Sequence, residues 1–329
     1  MFVYLSRMNI YAFCQNPLVT PTKEMKGNIF YSYMFSFKTT LADKITHIWH
    51  EPYASFVAGL LYGYRGGLGS LNDLFSITGV THIVAISGYN ITIIATIFIA
   101  LCKTLYIPRK KAFGVVVGGI ILFVLFTGAS ASVVRAGIMG VLVLIAKQGS
   151  RKSAIGNVLL LTAVIMTIQN PFVFIWDAGF QLSFLATMGL VYLSPIIEKY
   201  MVRVPDFLGV KESLISTLSA IIATLPLILF QFGRLSIVAP VVNILILWII
   251  PWIMIAGAVT VILSFVSTVF ARILGFVAFI GMEYIIRVVR FFAHVPFASV
   301  ELRIHPVSMV LLYTMLFILI LKVSSKGKV

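Results

Sequence analysis

Charged side chains are scarce in this sequence, and their scarcity excludes an ordinary soluble fold. Asp, Glu, Lys and Arg make up 11% of the 329 residues, whereas a typical soluble domain has roughly 25%. Hydrophobic residues make up 60% of the chain, and the mean hydropathy is +1.06. This composition is typical of a membrane protein whose chain crosses the bilayer several times.

Acidic residues and cysteines are too few for a catalytic metal site or a disulfide framework. The chain has 10 Asp and Glu residues and 2 cysteines, Cys14 and Cys102. Two cysteines form no disulfide framework, and the sequence has no Walker loop, dinucleotide fingerprint or His-Glu-x-x-His motif. We therefore expect no catalytic residue, no metal site and no cofactor, and we do not expect an enzyme.

Positive charge is abundant, with 25 Lys and Arg residues and a net charge of +15. The basic residues gather in alternate loops, mainly at 103–111, 147–152, 199–211 and 322–328. Because cytoplasmic loops of membrane proteins retain Lys and Arg, this pattern predicts a cytoplasmic C-terminus and an extracytoplasmic location for residues 1–80. Topology alone accounts for most of the charge excess, which is therefore weak support for nucleic-acid binding.

Long apolar runs predict the fold class. We interpret nine runs as membrane spans, at 82–102, 112–128, 132–147, 154–169, 178–197, 213–230, 236–265, 273–293 and 305–322. The predicted fold is an all-α polytopic membrane protein, a bundle of about 8–10 transmembrane helices of which some are short or broken. Pro251 predicts that the longest run is kinked or consists of two pieces.

The chain before the first span divides into two predicted parts. Residues 1–50 have no long apolar run and are predicted to form an extracytoplasmic segment. Residues 51–80 are predicted to form short interfacial helices, because an apolar run of about 13 residues is too short to cross the bilayer. Residues 81–329 are predicted to form the membrane-embedded domain.

Polar side chains interrupt the first apolar run. His82, Ser87 and Asn90 share one broad helical face at about 100° per residue. Polar groups within a span cost free energy unless they are paired or face water. They therefore either line a polar pathway or are satisfied locally, with His82 at the interface and Ser87 bonded to a backbone carbonyl.

A second set of polar residues lies near the predicted outer side of the bundle. Ser132 and Arg135 lie in the third span, and Arg135 either snorkels outward or points into the bundle towards an acid or a phosphate. Asp177 precedes a helix that also carries Gln181 and Ser183, and a carboxylate at that position caps a helix. An Arg135–Asp177 pair is compatible with either interpretation.

A charged stripe lies in the eighth span. Glu283, Arg287 and Arg290 are spaced at i, i+4 and i+7, and the order Glu then Arg favours an ion pair. Such a stripe is expected to face protein or water rather than lipid.

Several motifs in this order resemble the ComEC-type competence family of bacterial inner-membrane proteins. They are Leu60–Leu68 (LLYGYRGGL), Thr78–Gly88, Thr127–Ser130 with Arg135, Asn170-Pro171 with Asp177–Phe184, Ala223–Pro226 with Phe232–Ser236, and Asn243. Family members often have His where Asn90 stands and an acidic residue where Tyr64 stands. The resemblance implies that the extracytoplasmic segment 1–50 is a remnant of an oligonucleotide-binding-like domain, with residues 1–45 as only its last strands.

The resemblance implies an inner-membrane channel for uptake of single-stranded transforming DNA. Partners would be single-stranded DNA, the lipid bilayer, and the DNA receptor and helicase or ATPase of the competence machinery, and homo-oligomerisation is left open. The expected contacts and polar lining come from His82, Ser87, Asn90, Ser132, Arg135, Asp177, Gln181, Ser183, Arg234, Asn243, Glu283, Arg287 and Arg290. Two alternatives remain: a small-molecule permease or exporter built on broken helices, and a membrane scaffold without a pathway.

Overall fold

Helices make up most of the structure, a computed structural model that describes residues 28–64, 66–84, 88–148, 155–201 and 210–326. Within these ranges the chain forms sixteen helices and one two-stranded ribbon. The predicted class, an all-α polytopic membrane protein, is confirmed.

The first half of the described chain contains helices α1 to α9. Their bounds are α1 Ile29–Ile48, α2 Tyr53–Tyr62, α3 Leu71–Ile77, α4 Thr81–Val84, α5 Gly88–Thr104, α6 Arg109–Phe126, α7 Ala131–Gln148, α8 Ile155–Gln169 and α9 Phe172–Trp176.

The second half contains the remaining helices and both strands. Their bounds are α10 Ala178–Tyr192, α11 Ser194–Tyr200, α12 Val210–Gln231, β1 Arg234–Ser236, α13 Ala239–Ile246, α14 Ile250–Leu263, α15 Thr268–Ala293, β2 Ser299–Glu301 and α16 Pro306–Lys326. The two strands pair antiparallel, with Arg234 opposite Glu301.

Two helices of the described chain are long and apolar enough to cross a membrane on their own. They are Lys211–Gln231 within α12, and α15; the number rises to four if each of two bent helix pairs counts as one span. Five further apolar helices have 10–17 residues. The total of 8–10 spans remains a prediction.

Both bent pairs lie in predicted spans and are bent by 47°. The α13–α14 break confirms that the longest apolar run consists of two pieces. Pro251 lies in the first turn of α14, where a missing backbone N–H has no cost. The α10–α11 break was not predicted, although Pro195 in the first turn of α11 has no backbone N–H with which to continue the hydrogen bonds of α10.

The largest core joins the first four helices to three helices from the C-terminal third of the described chain. It contains buried side chains from α1 to α4 together with others from α13, α14 and α15. Phe56 and Val57 of α2 are completely buried in it. The depth of α2 relative to the bilayer stays a prediction, but α2 is a central helix of the protein rather than a peripheral one.

Helix α1 corrects the expectation of strands within residues 1–45 for the described part of that segment, which is helical from Ile29. Asn28 caps it through a hydrogen bond from the Phe30 N–H to its side-chain oxygen. After its last turn, Trp49 Nε1 donates to the Gly275 carbonyl of α15 at 2.9 Å. Residues 1–27 lie outside the described residues.

Two smaller cores lie in the middle of the chain. One is formed by α5, α6 and α7, and the other by residues of α8, α9 and α10. Helix α10 packs closely on α12. A Cβ at Gly189 of α10 would overlap the Ser219 carbonyl oxygen and lie 2.7 Å from Cβ of Ala223, so this approach requires glycine.

Candidate functional site

Arg135 is a buried cation between two helices. It lies in α7, is 4% exposed, and donates from Nη1 to the Gly179 carbonyl in the first turn of α10 at 2.9 Å. Asp177 attracts the guanidinium electrostatically, although the described residues include no ion pair between them. Arg135 therefore points into the bundle, and its direct contact is with a carbonyl rather than with the carboxylate.

Asp177 caps α10, as one interpretation of the sequence predicts. Its Oδ1 accepts a hydrogen bond from the Phe180 backbone N–H at 2.8 Å. The cap satisfies one of the amides that a helix start leaves without a partner. It also holds a carboxylate beside the buried Arg135.

Gln181 connects three helices. Its Nε2 donates to the carbonyls of Phe174 and Ile175 in α9, at 3.1 and 2.9 Å. Its Oε1 accepts from Nε2 of Gln231, the last residue of α12, at 2.6 Å. Ser183, one turn or less away on α10, is half-buried. We refer to Arg135, Asp177, Gln181 and Gln231 as the cap cluster.

The charged stripe of α15 contains the predicted ion pair. Arg287 Nε donates to Glu283 Oε1 at 2.6 Å, and the Tyr53 hydroxyl of α2 donates to Glu283 Oε2 at 2.5 Å. The Glu283 side chain is 21% exposed and that of Arg287 is 76% exposed. Glu283 is thus held against the core by Tyr53, whereas the side chain of Arg287 extends outward from the protein surface.

Arg290 continues this stripe and is exposed. We call Glu283, Arg287 and Arg290 the charged face of α15. The cap cluster lies in the middle of the chain and is contributed by α7, α10 and α12, whereas the charged face packs against α2. The described contacts do not join the two sets of residues.

His82 and Asn90 do not share the environment predicted for them. His82 is exposed on α4, whereas Asn90 is 2% exposed on α5 and donates from Nδ2 to the Leu60 carbonyl at 3.2 Å. That carbonyl lies in the last turn of α2, where helices leave acceptors without intrahelical partners. Asn90 therefore links α5 to α2 by a hydrogen bond inside the protein. Ser87 lies outside the described residues.

Three further candidates make no hydrogen bond or ion pair with either set among the described residues. Arg234 pairs with Glu301 across the ribbon at 2.9 Å. Asn243 of α13 is 5% exposed, and its Oδ1 has no hydrogen-bond partner among the described residues. Ser132 is half-buried, with its Oγ 3.3 Å from that of Ser130.

Sequence reasoning missed Tyr53, Gln231 and Lys38. Lys38 Nζ lies 5.4 Å from the ring centroid of Tyr62 and 5.9 Å from that of Phe126, and burial lowers the pKa of its ammonium group. A polar residue at the end of an apolar helix was an available signal for Gln231. Tyr53 and Lys38 carried no comparable signal.

Metal-binding side chains do not cluster in the part of the chain that the structure describes. No group of three or more His, Cys, Asp or Glu residues is placed there to hold an ion. Hydrogen bonding and charge compensation are what the described polar groups offer chemically.

Comparison with known proteins gives two matches. A family model described as "Competence protein" matches residues 60–327. ComE operon protein 3 of Bacillus subtilis (strain 168) is 29% identical over 250 residues, which are 75% of this chain and 31% of that relative. The chain thus spans less than a third of the length of this curated relative. No solved structure matches the chain.

Proposed function

Because this chain belongs to the competence protein family, we propose that it forms a channel for uptake of single-stranded transforming DNA across the bacterial inner membrane. Membership of the family supports a role in the uptake of DNA by competent cells. The proposal goes beyond this role in three respects, which are the channel itself, the direction of transport and the location in the inner membrane.

The charged face of α15 carries this proposal. Helix α15 is long and apolar enough to cross a membrane, and Glu283 lies about 15 Å from its end at 1.5 Å per residue. An arginine surrounded by lipid costs roughly 2.5–3.5 kcal/mol at the centre of a span, and Arg287, about 9 Å from the end of α15 at 1.5 Å per residue, bears part of that cost. Since Arg287 is exposed at the protein surface, water or an anionic ligand on this face lowers that cost.

The balance of charge on this face suits passage rather than tight retention. Arg287 and Arg290 offer guanidinium groups to phosphates without sequence preference. Glu283 compensates Arg287, so the face is only weakly cationic. A conducting pathway must bind its cargo well enough to admit it and weakly enough to release it.

Other candidates have supporting roles in this proposal. The cap cluster holds the short helices α9 and α10 against α7 and α12. His82 and Ser132 are candidate neutral lining. The sequence has no nucleotide-binding motif, so a DNA receptor and a helicase or ATPase would deliver and pull the strand. The proposed role is transport without a covalent step, and further copies of the chain are candidate partners.

Uptake of labelled double-stranded DNA tests the proposal. A naturally competent host that lacks its own core competence protein is complemented with this chain, and surface-bound and nuclease-protected label are scored separately. We expect Arg287→Gln with Arg290→Gln to reduce protected label at least about tenfold, since each guanidinium–phosphate contact contributes roughly 1 kcal/mol or more. Surface-bound label should stay unchanged.

Arg272→Gln is the matched control, because Arg272 is exposed near the other end of the same helix. It should leave uptake near the level of the unaltered chain. Equal uptake by the double variant and this control, at equal protein amounts in the membrane, would contradict a pathway along the charged face.

A permease for a small molecule is the second candidate, and the two bent helix pairs favour it. Broken helices in transporters surround substrate sites near the middle of the bilayer. This alternative predicts saturable binding of one small ligand and no transfer of label from DNA to the cytoplasm.

A further inference from the structure

A cleft of about 530 Å³ lies between α5, α6 and α7. Apolar side chains form most of its wall, including Ile99, Cys102, Val116 and Leu144, and Lys103 and Arg109 are its charged lining residues. Cys102 and Val116 are 2% and 3% exposed. The inner part of the cleft therefore suits a hydrocarbon chain better than a hydrated ion.

The charged lining residues lie together at one end of the cleft. Lys103 is in the last turn of α5 and Arg109 begins α6. Both side chains are exposed, and neither has an ion-pair partner among the residues that the structure describes. Lys110 and Lys111 follow on α6 and are also exposed, but they do not line the cleft. This end of the cleft is complementary to an anion.

The turn between α5 and α6 carries exposed apolar residues beside these cations. Tyr106 is 92% exposed and Leu105 is 60% exposed. Tyr106 has a φ of 51°, a left-handed conformation that is uncommon for a residue other than glycine. The turn is closed by a hydrogen bond from the Ile107 N–H to the Cys102 carbonyl at 2.9 Å. Tyrosine next to Lys and Arg is typical of the surface where a protein meets lipid headgroups.

We propose that this cleft binds one anionic phospholipid of the surrounding membrane. Lys103 and Arg109 contact its phosphate, and one acyl chain lies along Val116 and Leu144. A nucleic-acid strand satisfies the cations equally well, but it has no apolar chain to fill the cleft. Lipid binding at this cleft does not depend on DNA passage.

Native mass spectrometry of the full chain in detergent tests the proposal. Phosphatidylglycerol and phosphatidylcholine with the same acyl chains are titrated in competition, and the bound fractions are compared. We expect preferential retention of one phosphatidylglycerol. Lys103→Gln with Arg109→Gln should weaken that binding about 30-fold, which corresponds to about 1 kcal/mol for each cation near an anionic lipid.

Lys110→Gln with Lys111→Gln is the matched control, because these neighbouring cations do not line the cleft. It should weaken binding less than about threefold, a change under 1 kcal/mol. Ala112→Trp fills the cleft without changing the charge and should also release the lipid. Equal losses in both charge variants, or unchanged binding after Ala112→Trp, would overturn the proposal.

Binding of a short oligothymidylate tests the alternative that Lys103 and Arg109 contact nucleic acid. If the Lys103 and Arg109 variant weakens oligothymidylate binding and leaves phosphatidylglycerol retention unchanged, these cations contact nucleic acid and the lipid site is wrong. Circular dichroism of every variant checks that the helical content is preserved.

Discussion

At the scale of single residues, polar side chains in the membrane part are bonded to backbone carbonyls at or near helix ends. Asn90 bonds the Leu60 carbonyl in the last turn of α2, and Gln181 bonds two carbonyls at the end of α9. In hydrocarbon an unpaired backbone group costs several kcal/mol. Short and broken helices expose more such groups, so their ends require polar partners from other helices.

Gln181 and Gln231 differ in what their removal leaves behind. Gln181→Leu leaves two carbonyls of α9 and the Gln231 amide without their partner. We therefore expect it to lower the free energy of unfolding by about 1–3 kcal/mol. Gln231→Leu leaves a single group, Gln181 Oε1, without its partner, and it also removes the Gln231 Oε1, which is buried and has no partner among the described residues. Its cost should stay below about 1 kcal/mol.

Unfolding of both glutamine variants in detergent, followed by circular dichroism, measures this difference. Leucine has a similar volume in both cases, so packing changes are comparable. Equal destabilisation by the two substitutions would show that the hydrogen bonds from Gln181 to the α9 carbonyls do not add to stability.

Sequence spacing predicted the local contacts and missed the distant ones. The Asp177 cap and the Glu283–Arg287 pair join residues three or four positions apart, and helix geometry fixes such pairs. The partners of Asn90, Gln181 and Glu283 lie 30, 50 and 230 positions away. Periodicity carries no information about which distant residue arrives beside a given side chain.

At the scale of helices, close approach depends on glycine. Helices α10 and α12 meet where Gly189 faces Ser219 and Ala223. Association of helices within lipid relies on packing at small residues, because burial from water is not available as a driving force. This contact holds one half of a bent helix pair against a full-length span.

Gly189→Ala should therefore destabilise the protein by about 1–3 kcal/mol, the usual cost of overpacking. Gly118→Ala on α6 is the control, because a Cβ there meets no atom within 4 Å. The control should be neutral or stabilise the helix by up to about 1 kcal/mol. Thermal unfolding in detergent compares the two, and similar midpoints would contradict a tight α10–α12 contact.

Some helices could be predicted from the chain and others could not. Apolar length located α6, α7, α12 and α15, and Pro251 located the α13–α14 break. Helix α1 lacks a clean apolar stripe, since Tyr33 and Phe35 are 72% and 59% exposed. Contacts of Lys44 and Trp49 with residues more than 200 positions away tie it to the core. These tertiary contacts have no signature in a local sequence window.

At the scale of the whole molecule, loop charge predicts the orientation in the membrane. Tyr106 and Phe297 make a matched pair for a test, because both are exposed, at 92% and 81%, and both have positive φ. In a background with Cys14 and Cys102 replaced by Ser, we introduce Tyr106→Cys or Phe297→Cys. A membrane-impermeant maleimide should label only Phe297→Cys in spheroplasts and only Tyr106→Cys in inverted vesicles.

Labelling of both cysteines from one side would contradict the alternating pattern of basic loops. The membrane class and the family were predicted from composition and ordered motifs, and both are confirmed. The packing of α1–α4 against α13–α15 was not predicted, because composition carries no information about which distant segments share a core.

This shared core determines the order in which the protein is completed during synthesis. Helix α2 reaches the membrane early, but only part of the core around Phe56 and Val57 comes from the neighbouring helices α1, α3 and α4, and the rest comes from α13, α14 and α15. The roughly 160 residues between Val84 and Val242 take about 8–30 s to translate. During that interval the ribosome-bound chain holds an apolar helix without these later neighbours, so lipid or an insertase must shelter it until translation reaches α13.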